Sequence, residues 1–117
     1  MIRVKRAYHD PSPRDGIRIL VDRLWPRGLK KEAAHVQEWR KDLAPSGALR
    51  RWFKHDPAKW SEFRRRYRKE LTGGAQIEAL RRLAAIAKRK RITLVYGATD
   101  EEHNQAVVLK ELLDELI

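Results

Sequence analysis

Two short stretches of this chain combine residue types that can bind and move charge. The first is Asp22-Arg23-Leu24-Trp25-Pro26-Arg27-Gly28; the second runs from Tyr96 through Thr99, Asp100 and His103 to Asn104. Arg23 and Arg27 offer guanidiniums whose forked donors match phosphate, sulfate or carboxylate oxygens. They can also stack on Trp25 or on a planar ligand. Histidine is the side chain suited to proton transfer near neutral pH, which makes His103 the candidate general acid/base. Asp22 is its candidate catalytic partner, orienting the imidazole or an arginine. Arg23, Arg27 and Asn104 are the candidate anion ligands, with Trp25, Tyr96 and Asp100 at the rim.

Each of these residues also has a purely structural role open to it. Asp22 can pair with a neighbouring arginine and hold its loop, Trp25 can lie as a lid over the core, and His103 can sit idle in a first helical turn. Asp22 and Asp100 facing each other could hold a hard cation such as Mg²⁺ bridging to a phosphate. His9-Asp10 and His55-Asp56 would add ligands, but no spacing resembles a zinc motif, and His55-Asp56-Pro57 is better explained by capping. The expectation is therefore no metal and no cofactor. Covalent catalysis has little to work with: there is no cysteine, no G-x-S-x-G turn and no G-x-x-x-x-G-K-[ST] loop.

The elements that must position these groups follow from the apolar pattern. Ile17-Arg18-Ile19-Leu20-Val21 is almost continuously apolar and reads as a short strand buried on both faces. Pro26 and Gly28 end it. Ile2 to Ala7 alternates apolar and basic, as a half-covered or edge strand does, and Ile92 to Tyr96 is a β-branched third strand. Tyr8 to Gly16 is a turn-rich link, too short for a helical crossover, which leaves the pairing of the first two strands open. Leu29 to Trp39 has near-helical spacing and predicts a short helix or two turns. Ser46 predicts an N-cap for a short helix bearing Leu49, Trp52 and Phe53. Asp56 and Pro57 predict the start of a longer one, with Trp60, Phe63, Tyr67 and Leu71 as its buried stripe. A further helix spans about Ala75 to Arg89, and the last starts near Asp100, capped by Thr99 or Asp100.

These elements predict one α/β domain over residues 1–117: a small, mostly parallel sheet of about three strands covered by about five helices. The crossover rule makes the second and third strands parallel neighbours. Their C-terminal ends then share one edge of the sheet, which brings the two charged stretches together. Backbone N–H groups at the start of the last helix would favour an anion in the same crevice.

Charge is the strongest compositional signal. The 117 residues hold 27 Lys+Arg against 16 Asp+Glu, a formal +11, with a pI near 10.4. That balance attracts polyanions or anionic small molecules. No apolar run is long enough for a membrane span, and Met1 to Arg6 lacks a signal-peptide core, so a cytoplasmic protein without membrane contact is expected. Nucleic acid is the alternative partner, through Arg50-Arg51, Arg64-Arg65-Arg66, Arg68-Lys69 and Lys88 to Arg91. Trp52, Phe63 and Tyr67 fall on core stripes, which argues against base stacking.

The string Val21-Asp22-Arg23-Leu24-Trp25-Pro26-Arg27-Gly28 resembles the signature of the YeaO-like bacterial proteins, within domain-of-unknown-function family 488. The resemblance continues through Trp39 to Ser46, Leu49 to Pro57, Trp60 and Thr93 to Ala106. Other members of the broader family tend to carry Cys-His-Arg where this chain reads Glu102-His103-Asn104. The chain keeps the histidine and lacks both flanking residues, which removes thiol chemistry. The resemblance implies a small cytoplasmic α/β protein and points to the same two loops, but implies no activity, substrate or cofactor. It also brings His55, Asp56 and Trp52 in as rim residues. The combined expectation is an anionic small molecule bound at the C-terminal sheet edge, by an enzyme if His103 and Asp22 turn it over, or else a nucleic-acid or regulatory partner-binding module built on the basic helical faces.

Overall fold

Ile92 to Tyr96 is buried at every position, so it must lie inside a sheet covered on both faces. The computed structural model, which describes residues 1–117, bears this out. Its strands are β1 (Ile2–Arg6), β2 (Ile17–Leu20), β3 (Glu38–Trp39) and β4 (Ile92–Tyr96), all parallel and ordered β1-β4-β2-β3. Ile92 is level with both Ile2 and Ile17, which aligns the C-terminal ends of the three longer strands. The helices are α1 (Lys31–Ala34), α2 (Gly47–Phe53), α3 (Trp60–Leu71), α4 (Gly74–Ala87) and α5 (Gln105–Leu116). None is long and apolar enough to cross a membrane.

Three details differ from what the sequence predicts. The sheet has four strands rather than about three, because His35 adopts a left-handed conformation (φ 50°) that ends α1 and leads into the two-residue β3. Asp56 caps a tight turn at Pro57–Lys59, accepting the Ala58 N–H at 3.0 Å, and α3 proper begins at Trp60. The last helix starts at Gln105 rather than near Asp100. Asn104 is its cap, with Oδ1 accepting the N–H groups of Ala106 at 3.0 Å and Val107 at 3.3 Å. Asp100 instead closes the turn before it, accepting from the Glu102 and His103 N–H groups.

Alternation along the strands separates two unequal faces. Ile2, Ile19, Val21, Ile92, Leu94 and Tyr96 join Phe63, Tyr67, Leu80, Leu109 and Leu113 of the longer helices in a core of twenty-one buried residues. On the other face only Ala7, Leu20 and Val95 form a buried cluster, packed against Trp25, Leu29, Val36 and Trp39. Polar pins do the rest there. The Asp15 carboxylate accepts the Ser12 N–H at 3.0 Å, Lys5 Nζ at 3.1 Å and Arg18 Nη1 at 2.6 Å, with Asp15 only 1% and Arg18 2% exposed. Arg18 Nε donates to the Ala34 carbonyl, and Thr93 Oγ1 to the Asp15 carbonyl.

These bonds settle the pairing question for the first two strands. β1 and β2 do not touch, because β4 lies between them. The link Ala7 to Gly16 crosses over Thr93 and is held down by Asp15 rather than by a helix. Gly16 makes the turn into β2 at φ 65°, where a Cβ would lie 2.1 Å from the Arg91 carbonyl oxygen; only glycine fits.

Candidate functional site

At the C-terminal edge, the chain leaves β2 toward the face of α1 and leaves β4 toward the face of α5. Neighbouring parallel strands whose connections depart to opposite faces leave a crevice between them. Here it is a cleft of about 650 Å³. Its walls are Asp22 to Arg27 from one loop, Gly97 to Asp100 and Gln105 from the other, and Pro45, Arg50, Phe53, His55, Phe63 and Tyr8 around them.

Asp22 ties the two loops together. Its Oδ2 accepts the Gly97 N–H at 2.9 Å, and its Oδ1 accepts from the Gln105 side-chain amide. Its own carbonyl receives Trp39 Nε1 at 2.7 Å, which anchors the same residue to β3. A Cβ at Gly97 would lie 2.8 Å from Asp22 Oδ2 and 3.4 Å from Pro26, so a side chain there would push the Asp22 carboxylate from its place. Burial raises the Asp22 carboxyl to about 6, even though the Gly97 N–H, Gln105 and the Arg50 charge all favour its ionised form. Half-neutral near pH 6, Asp22 imposes less negative charge on the cleft than an ordinary carboxylate.

Three guanidiniums line the same cleft. Arg23, Arg27 and Arg50 are all exposed there, and none is in an ion pair, in contrast to Arg40, Arg64, Arg65, Arg66, Arg68 and Arg81. Arg23 Nε donates to the Pro45 carbonyl at 3.2 Å, which leaves its terminal nitrogens without a protein partner. The Arg27 backbone is fixed by the Tyr8 hydroxyl, which donates to its carbonyl at 2.6 Å. Trp25 both lines the cleft and packs inward: its Nε1 donates to the Leu29 carbonyl at 2.6 Å, and its ring meets Trp39 edge-on at 5.5 Å.

The structure thus brings together Asp22, Arg23, Trp25, Arg27, Asp100 and His55, and leaves three of the candidate residues outside. His103 is not among the cleft's lining residues. Its Nδ1 is 2.9 Å from Oδ2 of Asp100, which does line the cleft, and its ring stands edge-on against Trp60 at 5.2 Å. Asn104 is 1% exposed and spent as the α5 cap, with Nδ2 donating to the Asp100 carbonyl. Asn104 Oδ1 thereby takes up the Ala106 and Val107 N–H groups of α5. Tyr96 is core, 2% exposed, and burial pushes its hydroxyl above the ordinary tyrosine range. Asp100 is held below the usual carboxylate range by the Glu102 N–H first and by His103. Asp56 caps a turn and Trp52 lines a separate groove. No three histidine, aspartate or glutamate side chains gather as a metal site.

Sequence reasoning missed Gln105 and Arg50 as cleft residues. Gln105 meets Asp22 across eighty-three positions, and nothing local announces that contact. Arg50 carried a usable signal: it lies three residues before Phe53 on α2, so both share one helical face.

Residues 1–117 match a family model described as the inactive DUF488-N3 subclade. The chain belongs to this family. Among its DUF488 relatives, the uncharacterized Escherichia coli protein YeaO is 43% identical over 115 residues, covering 98% of both chains. The uncharacterized Mycobacterium tuberculosis protein Rv3073c is 42% identical over 113 residues, covering 97% of this DUF488 chain and 93% of its own length. No solved structure matches the chain.

Proposed function

We propose that this DUF488 protein binds the anionic group of a small molecule in the cleft at the C-terminal edge of its sheet, and holds it without turning it over. One observation carries the reading: Arg23, Arg27 and Arg50 line a single cleft and none is in an ion pair. Unpaired guanidiniums in a partly desolvated concavity are the recurring solution for phosphate, sulfate and carboxylate recognition. Binding is favoured over catalysis because His103 is not among the cleft's lining residues and is engaged by Asp100 and Trp60. The chain also has no cysteine to serve as nucleophile, in keeping with a subclade described as inactive.

Sulfate tests this well, because its charge does not change across the relevant pH range. Titration calorimetry should detect sulfate binding that the Arg23→Ala/Arg27→Ala double variant loses by tenfold or more, the equivalent of about 1.4 kcal/mol. Affinity should rise as pH falls through about 6, since protonating Asp22 removes the one buried negative charge beside the guanidiniums. Sulfate binding that ignores both the double substitution and pH would remove the proposal.

A further inference from the structure

We propose that the groove between α2 and α3, separate from the cleft, is a docking surface for single-stranded nucleic acid. The groove holds about 570 Å³ and is lined by Trp52, Arg65, Arg66, Lys69 and Glu70 among others. Trp52 packs against the core and carries two cations: Arg66 Cζ lies 4.4 Å from its ring centroid and Lys59 Nζ 5.1 Å. An aromatic ring set among lysines and arginines along a groove is how a backbone is tracked while a base stacks. Here a base stacking on the outer plane of Arg66 extends the indole–guanidinium pair.

The neutralisation of α3 points to the same side. Arg64 and Arg68 reach across to Glu111 and Glu115 of α5 and are paired. On the flank facing α2, Arg65 and Arg66 share the single carboxylate of Glu62, while Lys59 and Lys69 have none. Glu70, the other acid in the groove, is spent on the α2 start, accepting the Ser46 N–H at 3.0 Å and the Ser46 hydroxyl at 2.6 Å. The surplus positive charge of α3 therefore lies on its α2 flank, along this groove.

The test is fluorescence anisotropy with a labelled oligothymidine of about 15 nucleotides, titrated between about 50 and 200 mM salt. The wild-type chain should bind it with an affinity that falls steeply with salt. The Lys59→Gln/Arg66→Gln/Lys69→Gln variant should bind at least tenfold more weakly, with a log–log salt slope shallower by about 2, close to 0.7 for each phosphate no longer neutralised. Lys69→Gln alone, which touches nothing structural, should remove about one-third of that slope change. Replacing Lys88, Arg89 and Lys90 by glutamine should leave binding intact, as should the Arg23→Ala/Arg27→Ala cleft variant. The proposal is overturned by absence of binding at low salt, or by a triple variant equal to wild type. It is equally overturned by a duplex of the same length binding as tightly, or by phosphatidylserine vesicles binding through these residues when the oligonucleotide does not.

Discussion

The two faces of the sheet are stabilised by different physics. The helical face buries a contiguous apolar core of twenty-one residues, so its stability scales with area and tolerates local change. The opposite face buries a cluster of three and relies on a few directed bonds, chiefly Asp15 to Ser12, Lys5 and Arg18. A thin layer cannot gain much from area, and so it concentrates its stability in specific pairs. The cleft opens where the two regimes meet, with Phe53 and Phe63 from one side and Trp25 from the other.

The sharpest way to break this contrast is Asp15→Ala. It leaves the Arg18 guanidinium buried and unpaired, and should cost about 3–5 kcal/mol in urea unfolding. That is as much as truncating a large core side chain such as Leu80 to alanine on the helical face, about 2–5 kcal/mol. A cost below about 1 kcal/mol would show that the thin face does not depend on its pins.

The next test separates two aspartates by the sign of their pH dependence. Burial works to raise the Asp15 carboxyl, but the Ser12 N–H, Lys5 and Arg18 overcome it and hold it below its ordinary value. Its contribution is therefore full above the unfolded value near 3.8 and is lost as pH falls through the lower folded value. Asp22 runs the other way. Raised from 3.8 to about 6, it favours the protonated folded state, so its contribution is present below 3.8 and lost as pH rises through 6. Asp22→Asn removes that titration while Gln105 can turn its amide to keep the tie. Relative to wild type, the variant should gain on the order of 2 kcal/mol between about pH 4 and pH 7. A difference that stays flat with pH would mean that Asp22 is not desolvated.

The smallest effect concerns the cleft's back wall. Asn104→Ala removes the cap of α5 and should cost about 1 kcal/mol in thermal unfolding. It should leave sulfate binding unchanged, because Asn104 does not line the cleft. Loss of sulfate binding without loss of stability would restore Asn104 as a ligand.

Much of the fold is legible in local pattern. β2 and β4 are short apolar runs, and the α3 stripe of Trp60, Phe63, Tyr67 and Leu71 is unambiguous. Local pattern cannot decide a competition between equivalent signals. Thr99, Asp100 and Asn104 can all cap a helix, and Asn104 wins because its turn leaves Asp100 free to close the preceding one. β3 escapes because two residues carry no periodicity. The candidate site is half visible. The Asp22–Arg27 loop lies at the sheet's C-terminal edge as its sequence predicts, whereas the other loop does not turn all its polar residues inward. The turn closed by Asp100 sets His103 edge-on against Trp60.

The strand order has one more consequence. A sheet presents its unpaired backbone groups only along its outermost strands, and these are what other chains use as templates for aggregation. Here one outer strand, β3, offers only Glu38 and Trp39, while the other, β1, carries Arg3, Lys5 and Arg6 within five residues. One margin is too short to recruit another chain, and the other repels a second copy of itself. A small sheet with a thin face is protected from runaway growth at both ends by length on one side and by charge on the other.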